Sequence, residues 1–147
     1  MTYAEAEIVV KTEFLTVFRA ELSPAQVSVG TQLFDWPVTV AAVQLSVYPA
    51  SGGEQDTMGA PGDRTYERRG EAMLEVRVPD DGSGRTVELE DLVQLFVDTF
   101  EGKVLGDTTD DLGMVRFDPM PPPTPPGQDG RWVTKICTAP FFFVERR

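Results

Sequence analysis

TVAAVQLSVY (residues 39–48) and AMLEVRVP (72–79) decide the fold. In the first, Val43, Leu45 and Val47 alternate with Gln44, Ser46 and Tyr48. In the second, Ala72, Leu74, Val76 and Val78 alternate with Glu71, Met73, Glu75 and Arg77. A period of two puts one apolar row on each strand's inner face and a polar row on the other. The spacing predicts an antiparallel hairpin whose first strand stops at Pro49. Its connection, PASGGEQDTMGAPGD (49–63), is rich in Gly and polar groups and has no apolar period. It reads as a loop or mobile hairpin tip, and loops of that length tend to be functional or disordered.

Outward from the hairpin, both flanks read as helices. Thr2-Tyr3-Ala4-Glu5 has the spacing of a capping box, and Pro24 follows the expected end near residue 22. Tyr3, Ala6, Val10, Phe14, Val17 and Phe18 form one apolar stripe. Ile8, Leu15 and Leu22 form a second, seven residues apart, with Ile8 roughly opposite Val10. Two stripes fit either a central helix in a larger core or a helix that meets another subunit. Residues 86–101 carry a single stripe of Leu89, Leu92, Val93, Phe96 and Phe100, with acidic residues in the first turn and Gly102 at the end. A short strand is expected over 113–118. A stiff Pro-rich loop, PMPPPTPPGQDG, follows it, and then a last strand, RWVTKICTAPFFFV, broken at Pro140. In the terminal FFFV, alternation buries Phe141 and Phe143 and turns Phe142 the other way, toward a covered second face or a subunit interface. The order predicts one α+β domain over 1–147: a small, mostly antiparallel sheet with two helices on one face.

The composition narrows the chemistry. With 147 residues the chain can bury one sizeable core. Lys+Arg number 13 and Asp+Glu 24, a net charge of −11, which opposes unassisted binding to nucleic acid or an anionic membrane. There is no histidine, so the commonest general base and every His-containing nucleophile pair or metal site are excluded. The single Cys137 excludes an intrachain disulfide, and reads as a buried inert thiol. The expectation is a soluble acidic domain made inside the cell, without signal segment or membrane span, that is not an enzyme and needs no cofactor or metal.

Three clusters are candidates for sites. GDTTDDLG (106–113) gathers Asp107, Asp110 and Asp111, but lacks the EF-hand spacing and any apolar neighbour to raise a carboxylate pKa, so it reads as a solvated loop. The glycines of SGG and GAPG lack the GK[ST] ending of a phosphate loop. Arg64, Arg68 and Arg69 with Tyr66 make the only basic cluster in the chain. It suits either a charged strand edge that discourages aggregation or a contact patch for an acidic protein surface.

The ordered features resemble a family, the tail-terminator (tail-completion) proteins of long-tailed bacteriophages and related phage-derived particles. The resemblance covers nearly the whole chain. It rests on a first helix opening MTYAEAEI and a strand VQLSVYP closing on a Gly-rich loop. Gly59, Gly62, Arg64, Tyr66 and Arg69-Gly70 then lead into a strand ending VRVP. Gly82-Ser83-Gly84 opens the helix LEDLVQLFVDTFEGK, and GQDGRWVTKICTAPFFF is similar to the family's closing strand. The Pro-rich stretch 119–127 and the DTTDD loop are longer than the family's connections. The resemblance implies a structural virion protein at the tail–head junction. It would form a hexameric ring on the last tail-tube ring, stop tube growth, and join the tail to a head-completion or connector protein. A neck adaptor one ring nearer the head is the alternative. DNA would pass the acidic lumen without specific binding. On this reading Ile8, Leu15 and Leu22 belong to the subunit interface, and Met58, Arg64, Tyr66, Arg68 and Arg69 contact the tail tube.

Overall fold

Helix α1 (Tyr3–Glu21) starts where its capping box places it: Thr2 Oγ1 accepts from the Glu5 amide at 3.3 Å, and the Thr2 amide donates to the Glu5 carboxylate at 2.6 Å. The computed structural model describes residues 1–30, 33–55, 60, 62–80 and 86–146, with backbone alone for 51–55 and 86. After α1 the chain makes a short 3-10 turn at Pro24–Gln26 and then strand β1 (Val27–Val29). The long strands β2 (Ala42–Gln55) and β3 (Thr65–Pro79) follow, then helix α2 (Thr86–Phe100). Strands β4 (Val104–Gly106), β5 (Met114–Phe117), β6 (Gly127–Asp129) and β7 (Trp132–Arg146) complete the chain.

The fold is α+β, but its sheet is not small. Among the described residues seven strands run in the order β1-β2-β3-β7-β5-β4, with β6 added to β7. All pairs are antiparallel except β1 with β2. The register aligns one apolar row across the sheet. Leu45 stands opposite Leu74, Leu74 opposite Cys137, Phe143 opposite Val115 and Phe141 opposite Phe117. Ala6, Val10, Phe14 and Phe18 of α1 and Leu89, Val93, Phe96 and Phe100 of α2 join that row in one buried cluster. Among the described residues the buried set contains no polar or charged side chain. An aromatic chain runs from α2 into the sheet: Phe100 lies 4.9 Å from Phe117, which lies 5.5 Å from Phe141. Burying each such ring stabilises the fold by about 1.5–3 kcal/mol.

Two prolines expected to end strands do not. β2 continues past Pro49 to Gln55, with a bulge between Pro49 and Gly53, so the first part of the expected loop, residues 49–55, is strand. Leu45 directs its carbonyl outward, where it accepts from the Gly30 amide at 2.8 Å. Backbone groups alternate sides along a strand, so Pro49 also faces outward, and its missing N–H is not needed by β3. β7 likewise runs unbroken through Pro140, whose carbonyl accepts from the Asp118 amide at 3.0 Å, beyond the last residue of β5. The absent donor therefore falls on the side where β5 has ended, and the ladder with β3 stays complete.

The Pro-rich segment 119–126 lies along this same edge of β7. Thr124 donates its amide to the Ile136 carbonyl at 3.0 Å and accepts the Ile136 amide on its hydroxyl at 3.0 Å. One threonine thus closes the ladder where prolines cannot donate. Cys137 is buried beside it, its Sγ 4.0 Å from Met120 Sδ, and burial raises its thiol pKa. No described helix is long and apolar enough to cross a membrane.

Candidate functional site

Strand alternation divides the arginine cluster. Tyr66 and Arg68 lie on the helix-bearing face of β3, in the row of Gly70 and Ala72, whereas Arg69 lies on the opposite face. The three arginines and Tyr66 therefore do not form one patch. Arg68 donates from Nε to Glu145 at 2.8 Å, and its guanidinium lies 5.1 Å from the Tyr66 ring. Glu145 sits at the far end of β7, with an exposure of 12%. Arg69 binds Glu67 at 2.6 Å and approaches Asp118 at 3.6 Å, with its guanidinium 5.9 Å from Phe142. Phe142 is half-buried on the face without helices, and Arg69 covers it. Arg64 is half-buried just before β3, and Met58 lies outside the described residues.

Arg68 and Glu145 line a groove of about 570 Å³ between the first turn of α1 and the ends of the long strands. Tyr3, Ala4, Pro49, Arg69 and Phe143 are among its other lining residues. The Tyr3 hydroxyl is buried without a hydrogen-bond partner among the described residues. Its pKa is pushed up to about 12, mainly by burial and further by the charge of Glu7. The groove sets the Tyr3 phenol and the Arg68–Glu145 ion pair beside apolar lining.

The second stripe of α1 also divides. Ile8 is 63% exposed, whereas Leu15 and Leu22 are half-buried against the chain's own core. A shallow groove on the outer side of the helix runs past Thr12, Leu15, Thr16 and Arg19.

The aspartate loop is a set of hydrogen-bonded turns. Asp107 accepts from the Thr109 hydroxyl at 2.6 Å and the Thr109 amide at 3.0 Å, in that order the causes of its lowered pKa. Asp110 accepts from the Leu112 amide at 2.9 Å, and Asp111 pairs with Arg116 at 3.1 Å. Among the described residues no group of His, Cys, Asp and Glu is disposed to hold a metal ion.

Sequence reading missed a cluster on the face without helices. Arg77 lies between two tryptophans, its guanidinium 4.5 Å from the Trp36 ring and 5.4 Å from that of Trp132. Trp132 Nε1 donates to the Pro37 carbonyl at 2.8 Å, which holds the segment before β2 against the sheet. Arg77 and Trp132 lie on one face by parity, but nothing in the sequence places Trp36 over them.

No family model and no curated protein matches the chain. Several solved structures are similar to it, and one of these superposes with a TM-score of 0.65 and 17% identity, over 97% of this chain and 96% of its own. At that identity the likeness establishes a shared fold.

Proposed function

We propose that the protein is a structural ring subunit of the tail-terminator type, capping a phage-type tail tube and joining it to the head. The observation that carries this reading is how the quoted motifs meet in the fold. Arg69-Gly70 on β3 and Pro140-Phe141 on β7 are far apart in sequence, yet Gly70 stands opposite Phe141 and Glu71 opposite Pro140. The motifs VQLSVYP and LEDLVQLFVDTFEGK occupy β2 and α2, the other main parts of the same core. The features behind the resemblance are thus the framework of one domain.

On this reading the protein acts by assembly, with no catalytic group, cofactor or metal. It works at the tail–head junction of a virion, in contact with the tube protein and with a head-completion or connector protein. Ile8 is the member of the proposed subunit interface with the greatest exposure. Arg68 and Tyr66 would meet the tube from one face of β3 and Arg69 from the other. Because both Arg68 and Arg69 already hold carboxylates, docking would exchange ion pairs rather than satisfy free cations, and salt would screen it.

Negative-stain imaging of the purified protein, alone and with growing tail tubes, tests the reading. Rings that seat on tube ends and halt elongation are expected. A monomer that leaves tube length unchanged overturns it. Ile8→Asp should give a folded but smaller species, because an unpaired charge in an interface is costly.

A further inference from the structure

Among the described residues, the outer edge of β2 beyond β1 and the outer edge of β4 have no strand partner, and the two complement each other. On β2, β1 covers only Val43–Leu45, and the Gly30 amide takes the Leu45 carbonyl. From Val47 onward no described strand pairs with the outer edge of β2. At the other end of the sheet, β4 has β5 on one side and no described strand on the other. The Lys103 carbonyl accepts from the Phe117 amide and the Asp107 amide donates to the Gly113 carbonyl, each at 2.9 Å. Alternation therefore turns Leu105 toward β5 and leaves the N–H and C=O of Val104 and Gly106 pointing outward. Val104 is also 45% exposed, an apolar side chain on a bare edge.

The two edges lie at the same level of the sheet. Leu105 pairs with Val115, Val115 with Phe143, Phe143 with Arg68, and Arg68 with Gly53. β4 is therefore level with the uncovered part of β2 and not with the part that β1 occupies. The four antiparallel pairings between them leave β2 and β4 running in the same direction.

We propose that β4 of one copy adds in parallel to the open edge of β2 in the next, so that the ring is joined through a sheet continuous across subunits. The occupant is a second copy of this chain, because only a sideways repeat of this sheet presents a strand at this level and in this direction. Such a join is head-to-tail, not two-fold, and it is the kind of contact that builds a ring when the rotation from copy to copy closes. Pro49 removes an outward donor and so limits unspecific pairing at the same edge. The inference rests on the ring reading above and names its joint.

Paired cysteines test it. Val104 lies level with Arg69, opposite the β2 bulge that begins at Pro49, so Ala50→Cys and Val104→Cys in one chain should be adjacent across the joint. The native Cys137 is buried and does not compete. Mild oxidation should give a ladder of covalent multimers from the double variant and only monomer from either single one. Val104→Pro removes an outward donor while sparing the pairing with β5. It should keep its melting temperature and circular dichroism but shift dissociation to about tenfold higher concentration, the effect of one lost hydrogen bond. A wild-type ring with no ladder and an unchanged Val104→Pro variant would overturn the joint and leave the ring reading standing. Covalent dimers from Ala50→Cys alone would replace it with a two-fold β2 contact. A monomeric wild type would overturn both.

Discussion

The ring of Phe141 lies directly over Gly70 on the neighbouring strand, in the space a Cβ there would occupy. Phe141 is 1% exposed and packs on Phe117, so it cannot swing away. Gly70→Ala should destabilise the fold by about 1–3 kcal/mol through overpacking. Adding Phe141→Leu, which vacates the space, should cost less than the two single changes summed. Denaturant melts of the four proteins measure both effects. An additive cycle would mean that strand flexibility, not the ring, sets the cost.

The Arg77 guanidinium between Trp36 and Trp132 ties the segment before β2 to the sheet. Lysine cannot lie flat on two rings. Arg77→Lys should therefore lose about 1 kcal/mol of stability or more, and Arg77→Ala further. With an exposure of 18%, Arg77 should also be insensitive to moderate salt. Tryptophan fluorescence during unfolding reads both, and should show Trp36 released early in the lysine variant.

Thr124 stands in for a strand partner of Ile136. Removing its hydroxyl as Thr124→Val leaves the Ile136 amide without its acceptor and should cost about 1 kcal/mol. Hydrogen exchange at Ile136 should quicken while that of Leu74, deep in β3, stays slow.

The main elements were legible because each repeats a pattern over several residues: the stripe of α2, the capping box of α1, the alternation of β2 and β3. β1, β4 and β6 were not, since three residues cannot establish a period. Pro49 and Pro140 misled because a sequence does not reveal which side of a ladder a residue's N–H faces. The stripe of Ile8, Leu15 and Leu22 misled for a helical reason. At about 100° per residue, a spacing of seven drifts about 20° one way and a spacing of four about 40° the other. The two stripes start nearly opposite and converge along α1, so Ile8 is exposed while Leu15 and Leu22 reach the core. Arg68 and Arg69 are neighbours in sequence but lie on opposite faces, and the partner of Arg68 is 77 residues away.

Tyr3 gives the fold a dependence on alkaline pH. Its hydroxyl is buried without a hydrogen-bond partner among the described residues, and its pKa in the fold stands at about 12 against an ordinary 10.0. Burial is the main cause, and the charge of Glu7 adds to it. The phenol is neutral in both folded and unfolded chains below pH 10, so it contributes no pH dependence there. Between pH 10 and 12 the unfolded chain releases this proton and the folded one keeps it. The unfolded state then binds fewer protons, so stability falls as pH rises through that window and levels off above it. Tyr3→Phe removes the ionisation, and its stability should be flatter over the same window. Near neutral pH it also removes an unsatisfied hydroxyl at little loss of packing, so it should be as stable as the wild type or up to about 1 kcal/mol more. Urea melts at pH 8, 10 and 11.5 on both proteins compare the slopes. Parallel slopes would mean that the phenol ionises equally easily in the folded chain, with solvent reaching it through the groove beside Arg68 and Glu145.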